Sequence, residues 1–345
     1  MKKGVTIYDI AKEAQVSPAT VSRVLTGNAK VKPTTMKKIT AVIEKYNFKP
    51  NGLARSLLQK KTKMIGFILP DINHPFFSTF VLKGEAHALD AGYTSFVCNT
   101  MNDSEMESKY LHALLEKQVD GIVFLGGRIN AVDVKPSYVA EMNAIMERAP
   151  VLFVNGQMPG VDAHVVRTDE ASGVRQLVEL CKNHGHEKIG FLGGVCGITS
   201  TEMKIETFKE ELRKQGMEVV DDWVISSNFT IESGEEAAAK LMSLDEKPTA
   251  VLCVNDFVAM GAIIQFQKYG LSIPDDMSVA GFDDIYLAQH FPPGITTVSQ
   301  NYDRLGETAI NRLVDLIEEK EVVKETVVPT SLIIRKSCKS IPKKN

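Results

Sequence analysis

Apolar residues recur at helical spacing near the N-terminus and then in short runs along the rest of the chain. Ile7, Ile10, Ala11 and Ala14 repeat every three to four residues, which predicts a first helix that ends at Gln15-Val16. A second helix is predicted to run to about Leu25 and a third from Pro33 to Tyr46, because each opens with a proline where no amide hydrogen is needed. Three short helices around one small core predict a helix-turn-helix head.

The second predicted helix has an apolar side and a side of short polar groups. We expect the Ser17 hydroxyl to cap this helix and its apolar side to face the core through Val21, Val24 and Leu25. The third helix is expected to bury Met36, Ile39, Val42 and Ile43. The other side carries the short side chains of Ala19, Thr20 and Ser22 beside the guanidinium of Arg23. Short side chains let a helix approach the base edges in a major groove, and a guanidinium can donate two hydrogen bonds to a base. A helical hairpin that contacts no DNA is the alternative.

Beyond residue 63, short apolar runs alternate with helical patterns. The expected strands are Met64–Leu69, Thr94–Cys98, Gly121–Leu125, Val151–Val154, Ile189–Leu192, Ala250–Val254 and Val279–Phe282. Strands separated by helices predict parallel sheets with right-handed crossovers. Because the pattern covers about 270 residues, more than one such sheet usually uses, we expect two lobes that divide near Gly160.

Charge is distributed unevenly between the two ends of the chain. Residues 1–63 hold 14 Lys and Arg against Asp9, Glu13 and Glu44, a net charge of +11, which leaves −14 for residues 64–345 in a chain of net charge −3. A basic head on an acidic body favours a nucleic-acid partner, because lysine and arginine neutralise phosphates.

Several other classes find little support in the sequence. No apolar run approaches the ~20 residues of a membrane span and the first residues do not form a signal peptide, so a cytoplasmic protein without membrane partners is expected. The chain lacks nucleotide-binding, hydrolase and zinc-protease motifs, which predicts no enzyme, no catalytic residues and no cofactor.

The segment 184–187 (His-Gly-His-Glu) could suggest a metal, but a connecting loop explains it and no metal is expected. The five cysteines lack metal-ligand spacing and are expected to be reduced and buried.

Four segments carry a resemblance to a known family. Residues 5–11 (VTIYDIA), 16–17 (VS), 20–25 (TVSRVL) and 46–51 (YNFKPN) closely resemble the head of the lactose-repressor/galactose-repressor family of transcription regulators, and the similarity continues through 281–284 (GFDD) to about Arg335. The resemblance implies an all-α head at 1–49 and a hinge helix at 50–60 that orders on operator DNA and inserts Leu57 into the minor groove. A plain flexible linker is the alternative for this segment. The residues expected at DNA, partly from the helix face and partly from the resemblance, are Thr6, Tyr8, Ser17, Pro18, Ala19, Thr20, Ser22, Arg23, Asn28, Asn51, Ala54 and Leu57.

The resemblance also implies the organisation of the body. It predicts two Rossmann-like lobes, as in periplasmic sugar-binding proteins, with three crossings of the chain between them. The first lobe is expected at 61–161 and 294–327, and the second at 162–293 and 328–340, with the later crossings near Pro292-Pro293 and near Val328. An effector cleft is expected between the lobes at the carboxyl ends of the strands.

Polar and aromatic side chains follow several predicted strands and suit a small polar ligand. Residues 71–77 (DINHPFF) follow the first expected strand and include two aromatic side chains. Asn155, Asn255 and Asp283 place an amide or a carboxylate group at the end of three other expected strands. The resemblance places seven residues around the effector: His74, Phe77, Asn155, Lys204, Phe229, Asn255 and Asp283. Core packing of Phe76 or Phe77 and helix capping by His74, Asp256 or Asp284 are the alternatives.

Two positions depart from the pattern of sugar-binding relatives. Lys204 lies where those relatives often have arginine, and lysine lacks the bidentate fork of arginine. Asn155-Gly156 replaces the Asp-Arg of the ribose-binding pattern, which disfavours ribose and leaves other sugars, sugar phosphates and nucleobases open.

These features together predict a repressor that binds a pseudo-palindromic operator as a homodimer under the control of a small effector, with a carbohydrate favoured. Control by a partner protein, as in catabolite-control members of the family, is the alternative. A transport-type binding protein is disfavoured by the basic head.

Overall fold

The computed structural model describes residues 5–25, 31–48 and 61–341. The chain forms two compact units: a small head within residues 1–64 and a body that holds nearly all of residues 65–345. Within the described residues, no helix is long and apolar enough to cross a membrane.

The head contains the three predicted helices. They are α1 (Ile7–Glu13), α2 (Pro18–Leu25) and α3 (Pro33–Lys45). Thr6 and Asp9 cap α1 reciprocally, and the left-handed backbone of Gln15, with a φ of 57°, lets the chain turn into α2. Ile10, Val21 and Ile39 are fully buried and form the centre of the core. Met36 was expected in this core, but it is 40% exposed because its side of α3 faces solvent.

The first lobe of the body is built on a six-stranded sheet in the order β11-β5-β4-β3-β1-β2. Its strands are β1 (Met64–Leu69), β2 (Thr94–Asn99), β3 (Gly121–Leu125), β4 (Val151–Val154), β5 (His164–Thr168) and β11 (Glu325–Val328). The pairings from β1 through β3, β4 and β5 to β11 are parallel. The accompanying helices are α4 (Pro75–Asp90), α5 (Ser104–Glu116), α6 (Pro136–Met146) and α12 (Tyr302–Ile317). Buried residues of α4 and α12 share one core with this sheet.

The second lobe is built on a four-stranded parallel sheet in the order β7-β6-β8-β9. Its strands are β6 (Ile189–Leu192), β7 (Val224–Ile225), β8 (Ala250–Cys253) and β9 (Ser278–Ala280). Its helices are α7 (Glu170–Asn183), α8 (Thr199–Lys214), α9 (Ile231–Met242), α10 (Asp256–Lys268) and α11 (Tyr286–His290). A short antiparallel pair, β10 (Thr297–Ser299) and β12 (Ser331–Ile333), lies beside this sheet, where the Asp283 amide donates to Val298. The predicted α/β body of two parallel-sheet lobes is confirmed.

The chain crosses between the lobes three times, and two of the crossings differ from the expected positions. β5 pairs with β4, so the first crossing follows Thr168 and not residue 161. β10 still packs against the second lobe, so the second crossing lies near Gln300 and not near Pro292-Pro293 or residue 294. The third crossing lies between Val328 and Ser331. Hydrogen-bonded strand pairs set both displaced boundaries, and neither the hydrophobic pattern nor the quoted family motifs show which strands pair.

Candidate functional sites in the head and the interlobe cleft

The polar face of α2 carries the residues expected to read bases. Ala19 and Arg23 are exposed, and Thr20 and Ser22 are half-buried. Ser17 caps the helix, because its Oγ lies 3.2 Å from the Thr20 amide and 2.8 Å from the Thr20 Oγ1. This hydrogen-bonded pair fixes the start of α2, and the side chains near it on the outer surface of the helix are short and polar.

The start of α1 carries two more of the residues expected at DNA, Thr6 and Tyr8. Thr6 is exposed, and its amide and hydroxyl lie 2.8 and 2.7 Å from a carboxylate oxygen of Asp9. Tyr8 is 71% exposed on the same helix. An ion pair of 2.7 Å between Lys45 and Glu13 joins α3 to α1, and the hydrogen bond from Lys45 holds the pKa of Glu13 below its ordinary value. Asn28, Asn51, Ala54, Leu57 and the hinge expected at 50–60 lie outside the described residues.

A cavity of about 710 Å³ lies between the two lobes of the body. The turns that follow β1, β3, β4 and β8 contribute to its wall, so it occupies the carboxyl ends of strands, where open α/β sheets bind ligands. All seven residues expected at an effector line it: His74, Phe77, Asn155, Lys204, Phe229, Asn255 and Asp283.

Asn255 and His74 each cap a helix and also meet across the cleft. The Asn255 Oδ1 accepts from the Val258 amide at the start of α10, and the His74 Nδ1 accepts from the Phe76 amide at the start of α4. The Asn255 Nδ2 lies 3.0 Å from the His74 Nε2 and donates to the Phe229 carbonyl. Burial lowers the pKa of His74. His74 and Asn255 therefore each cap a helix and line the cleft at the same time.

Asp283 is a buried carboxylate at the end of the second sheet. It has a φ of 100°, a strained backbone conformation for a residue with a side chain, and its Oδ1 accepts from Gln300 Nε2 at 3.0 Å. Burial raises the pKa of Asp283, and the nearby charge of Lys204 opposes that rise. The neighbouring carboxylates are used elsewhere: Asp284 pairs with Arg335 at 2.6 Å, and Asp256 accepts from Thr297 and Ile285.

Asn155 has its side chain fixed by the end of β5. Its backbone is left-handed, with a φ of 50°, and its Oδ1 accepts from the Thr168 amide at 2.8 Å. The Thr168 hydroxyl in turn donates to Gln300, which also donates to Glu170 at 3.0 Å. Residues at two crossings of the chain are thus hydrogen-bonded to residues that line the cleft.

Aromatic rings form one side of the cavity. His74 meets Phe77 and, from the other lobe, Phe257, each at 5.6 Å between ring centroids. Phe76 lies 5.8 Å from the ring of Tyr302 and packs against the first-lobe core, while also lining the cavity. An aromatic face combined with amides and carboxylates suits a ligand with an apolar side and several hydroxyl or amino groups.

The sequence alone did not indicate several cleft residues. Glu170, Gln300, Phe257 and Asn130 all line the cavity, but no strand-end pattern points to them. Asn130 belongs to a 3-10 turn, Gly127–Asn130, held by a buried ion network in which Arg128 lies 2.8 Å from Glu107 and 2.7 Å from Glu141.

The cysteines divide into buried and accessible groups. Cys98, Cys181 and Cys253 are buried, and burial raises the pKa of each thiol. Cys196 was expected to be buried but is exposed, because it lies in the loop that precedes α8. The described residues contain no group of three or more side chains that could hold a metal ion.

A helix-turn-helix head and a two-lobed body with a polar interlobe cleft define a DNA-binding transcription regulator. Residues 6–51 match the model of bacterial regulatory proteins of the lacI family, and residues 178–338 match the periplasmic binding protein-like domain. The chain belongs to the lacI family.

Relatives and solved structures of this family match nearly the whole chain. The chain is 32% identical to the HTH-type transcriptional repressor PurR of Photobacterium profundum and 34% identical to Catabolite control protein A of Priestia megaterium, and each match covers 97% of this chain and 99% of the relative. The Lac repressor dimer bound to operator and the anti-inducer ONPF superimposes with a TM-score of 0.85 at 26% identity, covering 98% of this chain and 100% of that one.

Proposed function

We propose that this protein is a repressor that binds a pseudo-palindromic operator as a homodimer, and that a small polar effector in the interlobe cleft sets its operator affinity. The observation that carries this proposal is the cleft itself, in which His74, Phe77 and Asn155 of the first lobe face Lys204, Asn255 and Asp283 of the second. It would act in the cytoplasm, where bacterial operators lie. The match to an operator-bound repressor dimer supports the DNA part of the proposal.

Linkage provides the mechanism of control. An effector that contacts both lobes stabilises one arrangement of the lobes over another, and it can change operator affinity only by its differential affinity for those arrangements. Phe77 would cover the apolar side of the ligand, while Asn255 and Asp283 would bind its hydroxyl or amino groups. Because Phe77 belongs to the first lobe and Asn255 and Asp283 to the second, the ligand contacts all three residues only when the two lobes are close together.

Base reading by Arg23 gives a first prediction. Arg23→Ala should reduce affinity for the selected operator by about 1–3 kcal/mol if the guanidinium makes a bidentate contact to a guanine. Affinity for random duplex should change much less. Fluorescence anisotropy with an operator selected from random DNA and with a scrambled duplex measures both quantities. Equal losses on the two duplexes would contradict base reading by Arg23.

A homodimer is expected because one short recognition helix reads few base pairs, so specificity requires two half-sites related by two-fold symmetry. The body offers an apolar surface for this contact. β2 is an outer strand of the first sheet, with Phe96 and Val97 exposed, and Leu82 and Leu89 are exposed one heptad apart on α4, which packs against β2. Exposed strand edges with apolar residues favour association.

Placing a charge on this edge should weaken the dimer. A two-fold interface brings the same patch of both protomers together, so Phe96→Lys introduces two like charges at once. We expect Phe96→Lys to sediment as a monomer at concentrations where the wild type is a dimer. Tyr269→Lys, which alters an exposed aromatic residue of the second lobe, is the control and should remain dimeric. A monomeric wild type, or a dimeric Phe96→Lys, would refute this interface.

A further inference from the structure

Lys204 carries the positive charge in the cleft, and that charge is already compensated. The side chain is buried, and its Nζ lies 3.0 Å from a carboxylate oxygen of Glu170 and 3.3 Å from the Val254 carbonyl. The ammonium also lies 3.8 Å from the centroid of the Phe282 ring. A carboxylate, a carbonyl and an aromatic face therefore occupy the surroundings of this lysine.

The other charged groups around the cavity are acidic. Among the described lining residues, Asp71, Glu170, Glu232 and Asp283 carry carboxylates, and Lys204 is the one lysine or arginine. Arg128 lies in the neighbouring turn but is buried between Glu107 and Glu141 and does not line the cavity. The wall thus carries an excess of negative charge.

Two acceptors at the cleft have few hydrogen-bond donors among the described residues. The Asn130 Oδ1 is buried without a hydrogen-bond partner among the described residues, and Asp283 receives its one described hydrogen bond from Gln300. A hydroxyl or an amino group of a ligand can donate to such acceptors, whereas an ionised phosphate or carboxylate has no hydrogen to donate.

We propose that the cleft selects an uncharged or amine-bearing polyhydroxylated effector, and that the Lys204–Glu170 pair excludes anionic ligands such as sugar phosphates and sugar acids. This inference rests on the proposed function of the cleft as the effector site. An anion could recruit Lys204 only by drawing it from Glu170, which would leave a buried carboxylate uncompensated. Without Lys204, the anion would face carboxylates in a site of low dielectric.

Two variants of the full-length protein separate this pair from the general acidity of the cleft. Glu170→Gln removes the carboxylate bound to Lys204, whereas Glu232→Gln removes an exposed carboxylate at the start of α9 that does not contact Lys204. Both variants change the charge of the cleft equally. The double variant Glu170→Gln/Lys204→Met removes the freed lysine and also controls for anions that bind the basic head.

The probes are glucose, glucosamine and glucose 6-phosphate, measured by calorimetry, with operator binding followed in parallel. We expect the wild type to bind the phosphate no better than glucose or glucosamine. Glu170→Gln should bind glucose 6-phosphate at least about tenfold more tightly than wild type, Glu232→Gln less than about threefold more tightly, and the double variant should lose the gain.

Three results would overturn the proposal: tighter binding of glucose 6-phosphate than of glucose by the wild type, no gain in Glu170→Gln, or equal gains in the two single variants. A gain that survives in the double variant would also place the anion outside the cleft and overturn it. If operator binding responds to none of the effectors found by screening, the proposed regulation fails, while the comparison of Glu170→Gln with Glu232→Gln still decides the charge selectivity.

Discussion

Arg128→Met is expected to lower the free energy of unfolding of the body by about 3–5 kcal/mol, because it leaves a buried carboxylate without its counter-charge. Arg128 is buried, and its guanidinium lies 2.8 Å from Glu107, 2.7 Å from Glu141 and 4.6 Å from the ring of Tyr138. Glu107 is 1% exposed, and burial already raises its pKa with Arg128 in place. Urea unfolding followed by circular dichroism measures the loss.

The pH dependence of the same variant identifies the cause. Without Arg128 the pKa of Glu107 in the folded state should rise further, so folding should favour the protonated carboxyl group. The stability deficit of Arg128→Met relative to wild type should therefore shrink as the pH falls from 7 towards 5. Lys268→Met, which breaks an exposed ion pair with Glu235, is the control and should cost at most about 1 kcal/mol. A deficit of similar size in both variants would contradict the account of this network.

Asp283→Asn is expected to weaken effector binding by about one to two orders of magnitude. The substitution keeps the shape of the side chain but removes a charged acceptor, whose hydrogen bonds are worth about 1.5–3 kcal/mol. Calorimetry with an effector found by thermal-shift screening measures the change. Asp284→Asn, one residue further along, is the matched control, because Asp284 pairs with Arg335 and does not line the cavity.

The two carboxylates should therefore separate by function. We expect Asp284→Asn to change effector affinity by less than about threefold, although the loss of the ion pair with Arg335 can reduce the stability of the protein. If Asp283→Asn binds the effector as tightly as wild type, or if Asp284→Asn weakens binding as much, the assignment of Asp283 to the effector is wrong.

The sequence predicted most inner strands of both sheets closely, because these strands are continuous apolar runs, but it missed β5, an inner strand of the first sheet that reads His-Val-Val-Arg-Thr. The expected bounds of β1, β3, β4 and β6 match the structure residue for residue. The strands that were missed are short or partly polar. β11 reads Glu-Thr-Val-Val at the edge of the first sheet, and β7 has two residues. A strand that pairs on one side with half its residues exposed leaves only a weak pattern.

The candidate site shows the same division between local and long-range information. Asn255 and Asp283 follow the ends of β8 and β9 within three residues, so the topology of a parallel sheet indicates their place in the cleft. Gln300 and Glu170 join across 130 positions of the sequence and across a crossing between the lobes. Their partnership depends on how the lobes meet, and no local pattern encodes it. Lys204 and Glu170, whose pairing decides the charge available to a ligand, lie on two helices of the second lobe, and no local pattern encodes this contact either.

Control of operator affinity by occupancy of the cleft is the central claim, and one titration tests it most directly. The selected operator is titrated by fluorescence anisotropy with wild-type protein, without and with a saturating concentration of an effector that binds the cleft with an affinity reduced by Asp283→Asn. Allosteric coupling of the usual size predicts that the operator dissociation constant changes by about 5- to 150-fold. Identical operator affinity in both titrations, with the effector shown to be bound, would contradict the account.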